Sequence, residues 1–278
     1  MNFTKMHGAG NDYIYVDCFK EKVENPEKTA RILSRYHFGI GADGLVLICP
    51  SKRADCFMDI YNADGSRAKM CGNAVRCTAK YIYDYKCRKS AVTVDTLSGV
   101  KTVEIFTEKG KATGGRVNMG KPILGGHEIP TRYGTSIVRG EKLNISGCDY
   151  EITCLSMGNP HCVVFCGNPY ALSLPDIGPR FENHEMFPER INTEFVEITG
   201  KNRLTMRVWE RGSGETLACG TGACAAAVAA VMNGFCHRNE DICVTVPGGE
   251  LTVSWSEKDD CVYLSGNAQE VFSGRTVI

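Results

Sequence analysis

The sequence predicts an α+β fold built as two similar halves, and three observations carry that expectation. Most of the chain breaks into short runs rich in β-branched and aromatic residues, with Gly, Pro and Asn clustered between them. Three segments read as helices. A weak repeat joins early and late segments at a constant offset. Strand-rich halves with single central helices favour mainly antiparallel sheet.

Taken in chain order, strand-like runs lie at 13–16, 45–48, 56–61, 92–96 and 100–106. Between the first two, Asn25-Pro26-Glu27 reads as an N-cap followed by proline at the first helical position, opening a helix to about Tyr36. A second helix is expected at 72–85, with Val75, Ala79 and Ile82 on one stripe. Further strand-like runs follow at 162–165, 195–198 and 204–209, then a third helix at 220–232. Runs at 243–246, 251–255 and 262–264 complete the pattern, the first two joined by the turn Pro247-Gly248-Gly249.

The repeat is carried by loops. Cys71-Gly72-Asn73-Ala74 and Cys219-Gly220-Thr221-Gly222 both precede Ala-rich helices, 148 residues apart. The same offset joins Tyr61 to Trp209, Asn62 to Glu210 and Asn11 to Asn159. Separated features in one register point to two similar half-chains of domain size. Their expected boundary is Gly120-Lys121-Pro122, giving halves 1–119 and 120–265.

Composition narrows the class. The 278 residues hold 32 Lys plus Arg against 32 Asp plus Glu, so the formal charge is zero and nothing marks a nucleic-acid or polybasic membrane surface. The longest apolar run, 223–232, is too short to span a bilayer. The first ten residues lack an apolar signal segment, so a cytoplasmic protein is expected. Fifteen cysteines is an odd number, and in a reducing compartment thiols stay free. No C-x-x-C pair occurs, which argues against zinc, iron–sulfur and dithiol redox sites alike.

Two of the cysteines stand out by position. Cys71 and Cys219 each precede glycine at a helix start, near the positive end of the dipole and unpaired N–H groups. That setting favours thiolate and suits a carboxylate ligand. A single Cys-Gly is more often a core residue beside a turn; a matched pair in register shifts the balance toward chemistry. With the halves related by a pseudo-two-fold, the two thiols would converge on one cleft. Inverting a stereocentre needs a base on one face of the carbon and an acid on the other, and helix-terminal N–H groups would stabilise charge developing on an α-carboxylate. No lysine sits in a recognisable pyridoxal motif, so the expectation is an amino-acid racemase or epimerase without cofactor or metal.

The motifs that carry this reading closely resemble the diaminopimelate epimerase family. They are Lys5-Met6-His7-Gly8-Ala9-Gly10-Asn11-Asp12, the segment 37–44, Tyr61-Asn62-Ala63-Asp64-Gly65-Ser66 and Met70-Cys71-Gly72-Asn73-Ala74-Val75-Arg76-Cys77. Ser156-Met157-Gly158-Asn159-Pro160-His161, Phe187-Pro188-Glu189-Arg190-Ile191-Asn192 and Glu210-Arg211-Gly212-Ser213-Gly214-Glu215-Thr216 with Ala218-Cys219-Gly220-Thr221-Gly222-Ala223-Cys224 continue it.

The resemblance implies two domains, each a strongly curved, barrel-like sheet around a central helix, with a return strand at 266–278 joining the first. It implies interconversion of LL- and meso-diaminopimelate by a homodimer. Cys219 would remove the α-proton of the LL form and Cys71 would donate to the other face. Asn11, Asn62, Gly72, Asn73, Asn159, Asn192, Glu210, Arg211, Gly220 and Thr221 fall on substrate-contact positions, Arg211 offering a fork for the distal carboxylate. His161 and Glu210 fall on positions that tune the thiols. Gly44 and Phe272 depart from members that carry glutamine and tyrosine there. The nearest rival is a related pyridoxal-independent racemase for proline, hydroxyproline or histidine, which would need no distal clamp.

Overall fold

A computed structural model describes residues 1–134 and 136–277 and divides into two units, 1–118 with the stretch from Ser265, and 119–264. In the first unit β1 (Asn2–Gly8) and β2 (Asn11–Asp17) form an antiparallel hairpin. Helix α1 (Pro26–Leu33) follows, with the Lys28 N–H donating to Asn25 Oδ1 at 3.0 Å. It stops three residues short of the expected Tyr36, because the Leu33 carbonyl turns to accept from Ile40 N (2.8 Å) and Gly41 N (3.0 Å) in the following loop. Strand β3 (Gly44–Cys49) pairs in parallel with β2 and antiparallel with β4 (Cys56–Asn62). The short β5 (Arg67–Ala68) doubles back on β4 and delivers the chain to α2 (Gly72–Tyr85). Then β6 (Ala91–Thr96) pairs in parallel with β4, and β7 (Gly99–Glu108) and β8 (Lys111–Gly120) continue antiparallel. The final strand, Gln269–Arg275, lies antiparallel to β1, with a bulge between Lys5 and Met6.

The second unit repeats this order. Strands β9 (Arg139–Ile145), β10 (Cys148–Ser156) and β11 (Pro160–Phe165) lead to α3 (Leu174–Glu182). Next come β12 (Asn192–Gly200), β13 (Arg203–Glu210), β14 (Gly214–Thr216) and α4 (Gly220–Met232), then β15 (Ile242–Val246), β16 (Gly249–Trp255) and β17 (Val262–Asn267). The pairings follow the first unit step for step: β10–β11 antiparallel, β11–β12 parallel, β12–β13 and β13–β14 antiparallel, β13–β15 parallel, β15–β16 antiparallel. The parallel pairs arise where a helix carries the chain across the sheet.

One helix is wrapped by each curved sheet. Helix α2 is buried continuously from Gly72 to Lys80 and lies against β1, β2, β4, β6 and β7. Helix α4 has no polar face; Gly222 to Ala230 are all buried, and it lies against β10, β11, β12, β13, β15 and β16. A helix apolar all round is stable only when enclosed, and alanine side chains let the strands approach closely. Both helices therefore begin at a fixed place, the end of a buried rod, and that is where the cysteines stand.

Candidate active site

In the first unit the cluster is built on α2 and the start of β2. Cys71 is the N-cap of α2, with extended backbone at φ −140° and ψ 124°. Its half-buried thiol donates to Asn11 Oδ1 at 3.4 Å, and Asn73 Nδ2 donates to the same oxygen at 3.4 Å. The other end of the Asn11 amide is held, because Nδ2 donates to Asp43 Oδ2 at 2.7 Å. Asn73 is fixed in turn by Arg76, fully buried, whose Nη2 donates to Asn73 Oδ1 (2.8 Å) and whose Nη1 donates to the Gly72 carbonyl (3.1 Å). The N–H groups of the first helical turn, from Gly72 onward, have no carbonyl four residues back inside the helix. Asn62, at the end of β4, donates from Nδ2 to Ser66 Oγ at 3.0 Å.

In the second unit Cys219 is the N-cap of α4, at φ −115° and ψ 114°, and is buried. Its sulfur accepts from the Gly222 N–H at 3.4 Å and lies 3.5 Å from Thr221 Oγ1. Asn159 Nδ2 donates to Thr221 Oγ1 at 3.3 Å, and Asn159 Oδ1 lies 3.0 Å from His161 Nε2. His161, on β11, is fully buried and places Nδ1 2.7 Å from Glu194 Oε1 on β12, which is also fully buried. Glu210, at the end of β13, accepts from Thr216 Oγ1 and is hydrogen-bonded to the Cys219 thiol.

The electrostatics depart from the expectation at one thiol. A helix start favours thiolate, yet burial pushes Cys219 well above the ordinary thiol range, with Glu210 and Glu194 adding to the effect. The Thr221 and Gly222 hydrogen bonds act in the opposite direction. Burial also pushes the Glu210 carboxyl up, against its bonds to Thr216 and Cys219. The Asp43 carboxyl is raised by burial and by neighbouring Asp12.

The residues singled out from sequence thus fall in two groups. Asn11, Cys71, Gly72 and Asn73 are joined in the first unit, with Asn62 on the same unit. Asn159, His161, Glu210, Cys219, Gly220 and Thr221 are joined in the second. Asn192 is mostly engaged with backbone: Nδ2 donates to the Pro160 carbonyl (2.7 Å) and Oδ1 accepts from the Arg211 N–H (3.0 Å). It therefore pins the segment carrying Arg211, whose Nη1 donates to the Glu189 carbonyl at 3.0 Å. At Gly44 a Cβ would sit 2.1 Å from the Tyr61 carbonyl oxygen, so a longer residue there requires backbone movement. Asp43 and Glu194 escaped the sequence reading. Glu194 falls just before the run 195–198 that reads as a strand, and only the register β11–β12 brings it to His161.

The family model described as Diaminopimelate epimerase matches residues 3–125 and 153–271. A diaminopimelate epimerase of Acetivibrio thermocellus is 52% identical over 275 residues, covering 99% of this chain and 98% of the relative. One from Methanococcus maripaludis is 50% identical over 275 residues, covering 99% of each. Among solved structures, a probable proline racemase from Agrobacterium radiobacter with bound carbonate aligns at a TM-score of 0.75 and 12% identity, covering 100% of this chain and 93% of that one. At that identity the likeness is one of fold alone.

Proposed function

Because this chain belongs to the diaminopimelate epimerase family, an isomerase family, we propose that it interconverts LL- and meso-diaminopimelate by two-thiol acid–base chemistry. The observation that carries the mechanism is that Cys71 and Cys219 each cap the enclosed helix of their unit, beside N–H groups left open by the helix start.

In the LL direction Cys219 passes its proton to the hydrogen-bonded Glu210 carboxylate and becomes the base. The thiolate takes the substrate α-proton. Further negative charge moves onto the substrate α-carboxylate, already an anion, and the N–H groups of Gly72 and Asn73, and of Gly220 and Thr221, stabilise that added charge. Cys71 then donates its thiol proton to the opposite face. The enzyme ends with Cys219 and Glu210 protonated and Cys71 ionised; Glu210 releases its proton to solvent and Cys71 takes one up, which restores the starting state. Asn11, Asn62, Asn159 and Asn192 serve as polar contacts or supports, and Arg211 clamps the distal carboxylate.

The reading includes a homodimer and a cytoplasmic setting. Phe272 on the final strand is 45% exposed beside Val271 at 53%, an apolar edge of the kind buried between copies. All fifteen cysteines are free thiols, as a reducing compartment requires.

The test is incubation with LL-diaminopimelate in deuterated water, followed by NMR. Deuterium at one α-carbon and a mixture of LL and meso isomers is expected. Exchange with proline or histidine but none with diaminopimelate would sink the substrate assignment. Cys71→Ala and Cys219→Ala should each abolish epimerisation; near-full activity in either would end the two-thiol mechanism.

A further inference from the structure

Glu194 is a buried carboxyl that the mechanism above leaves unused. It is fully enclosed; Oε1 meets His161 Nδ1 at 2.7 Å, and Oε2 has no hydrogen-bond partner among the described residues. A carboxylate so enclosed is costly unless a positive group faces it. The helix start of α4 supplies part of that, since a Cβ placed at Gly222 would sit 2.7 Å from Glu194 Oε1. His161 supplies the rest. Its second ring nitrogen faces Asn159 Oδ1, another acceptor, at 3.0 Å. A ring flanked by two acceptors satisfies both only when both nitrogens carry hydrogen.

The Asn159 amide follows from that. With Oδ1 toward His161, Nδ2 must donate to Thr221 Oγ1, and it does so at 3.3 Å. Thr221 Oγ1 then has its own hydrogen to give, and the Cys219 sulfur is 3.5 Å away. Were His161 to carry hydrogen on Nδ1 alone, Nε2 would become an acceptor, the amide would turn over, and the Thr221 hydroxyl would be drawn to Asn159 instead. The groups facing His161 and Cys219 in this pocket include Glu194 and Glu210, with Cys162 close to Glu194 on the neighbouring strand.

We propose that Glu194 is a positioning residue: it keeps both nitrogens of His161 protonated, fixes the orientation of the Asn159 amide, and so aims the Thr221 hydroxyl at the Cys219 sulfur. The relay stabilises the Cys219 thiolate at the moment it acts as base. The proposal rests on the two-thiol reading for its kinetic consequence, but not for its hydrogen-bond pattern.

The test has two arms. Spectra of the folded enzyme with nitrogen-15-labelled histidine, the ring of His161 assigned by its loss in His161→Asn, should show both ring nitrogens protonated in the wild type. They should show one protonated nitrogen in Glu194→Gln. The second arm is the pH profile of kcat/KM in the LL direction. Glu194→Gln removes one negative and one positive charge together, so net charge beside Cys219 is unchanged and the profile reports the relay. Its acid limb should move to higher pH, with a loss of about tenfold at neutral pH, the worth of one hydrogen bond. Thr221→Val should do the same, and the double variant no more than Thr221→Val alone.

A single protonated nitrogen on wild-type His161, or additive losses in the double variant, overturns the proposal. If Glu194→Gln does not fold, the wild-type spectrum and Thr221→Val still decide. If diaminopimelate is not turned over at all, the function fails while the His161 spectrum stands as a separate result.

Discussion

At Cys219 two influences oppose each other, and their balance has a measurable sign at Glu210. Burial raises the Glu210 carboxyl, so its ionised form is disfavoured in the folded chain. A raised acid contributes stability that is present below the ordinary carboxylate range and lost as pH rises through the folded value. As pH rises above the ordinary carboxylate range Glu210 therefore costs the folded chain stability, a cost that goes with its proposed role as proton acceptor beside the thiol. Glu210→Gln should unfold at a higher temperature than wild type at neutral pH, with the difference closing in acid, while epimerisation collapses. A lower melting temperature at neutral pH would contradict this account.

At the scale of elements, helix starts do most of the positioning. Helices α2 and α4 are each capped by a cysteine, and the buried body of each helix sets where that cap stands. Helix α1 shows the ordinary version of the same device, an Asn25 side chain accepting from Lys28 N at 3.0 Å. Asn25→Ala removes that bond and should lower stability by about 1 kcal/mol, read by denaturant unfolding, with kcat and KM unchanged. The contrast separates a cap that only holds a helix from a cap proposed to carry chemistry. Helix α3 hid from the sequence because Gly178 and Pro179 interrupt its pattern, although the element forms around them. Strands β8 and β10 hid for a related reason: Gly-rich or polar residues weaken the alternation, and pairing with neighbours decides the structure.

For the whole molecule, the exposed edge at Phe272 carries the assembly prediction. Phe272 packs edge to face on Phe3, ring centroids 5.8 Å apart, and remains 45% exposed. Phe272→Glu should convert the expected dimer to monomer in sedimentation at micromolar concentration; an unchanged species of either size would remove this edge from the interface.

The amino-acid sequence by itself determined the α+β class, the 148-residue repeat, the three helix starts and the pair Cys71 and Cys219, because turn glycines, helix caps and hydrophobic period are local signals. It also placed Asn11 and Asn159 in one register. Tertiary structure alone decided what those residues touch. The rise at Cys219 depends on burial and on carboxylates from β12 and β13, which no local pattern records. Asn192 became a backbone anchor for Arg211, and Gly44 a point where the Tyr61 carbonyl leaves no room for a side chain. Glu194 is the clearest case. Along the chain it is a charged residue just before an expected strand, and only the pairing of β11 with β12 encloses it with His161, where an unmatched charge is costly and each hydrogen must be accounted for.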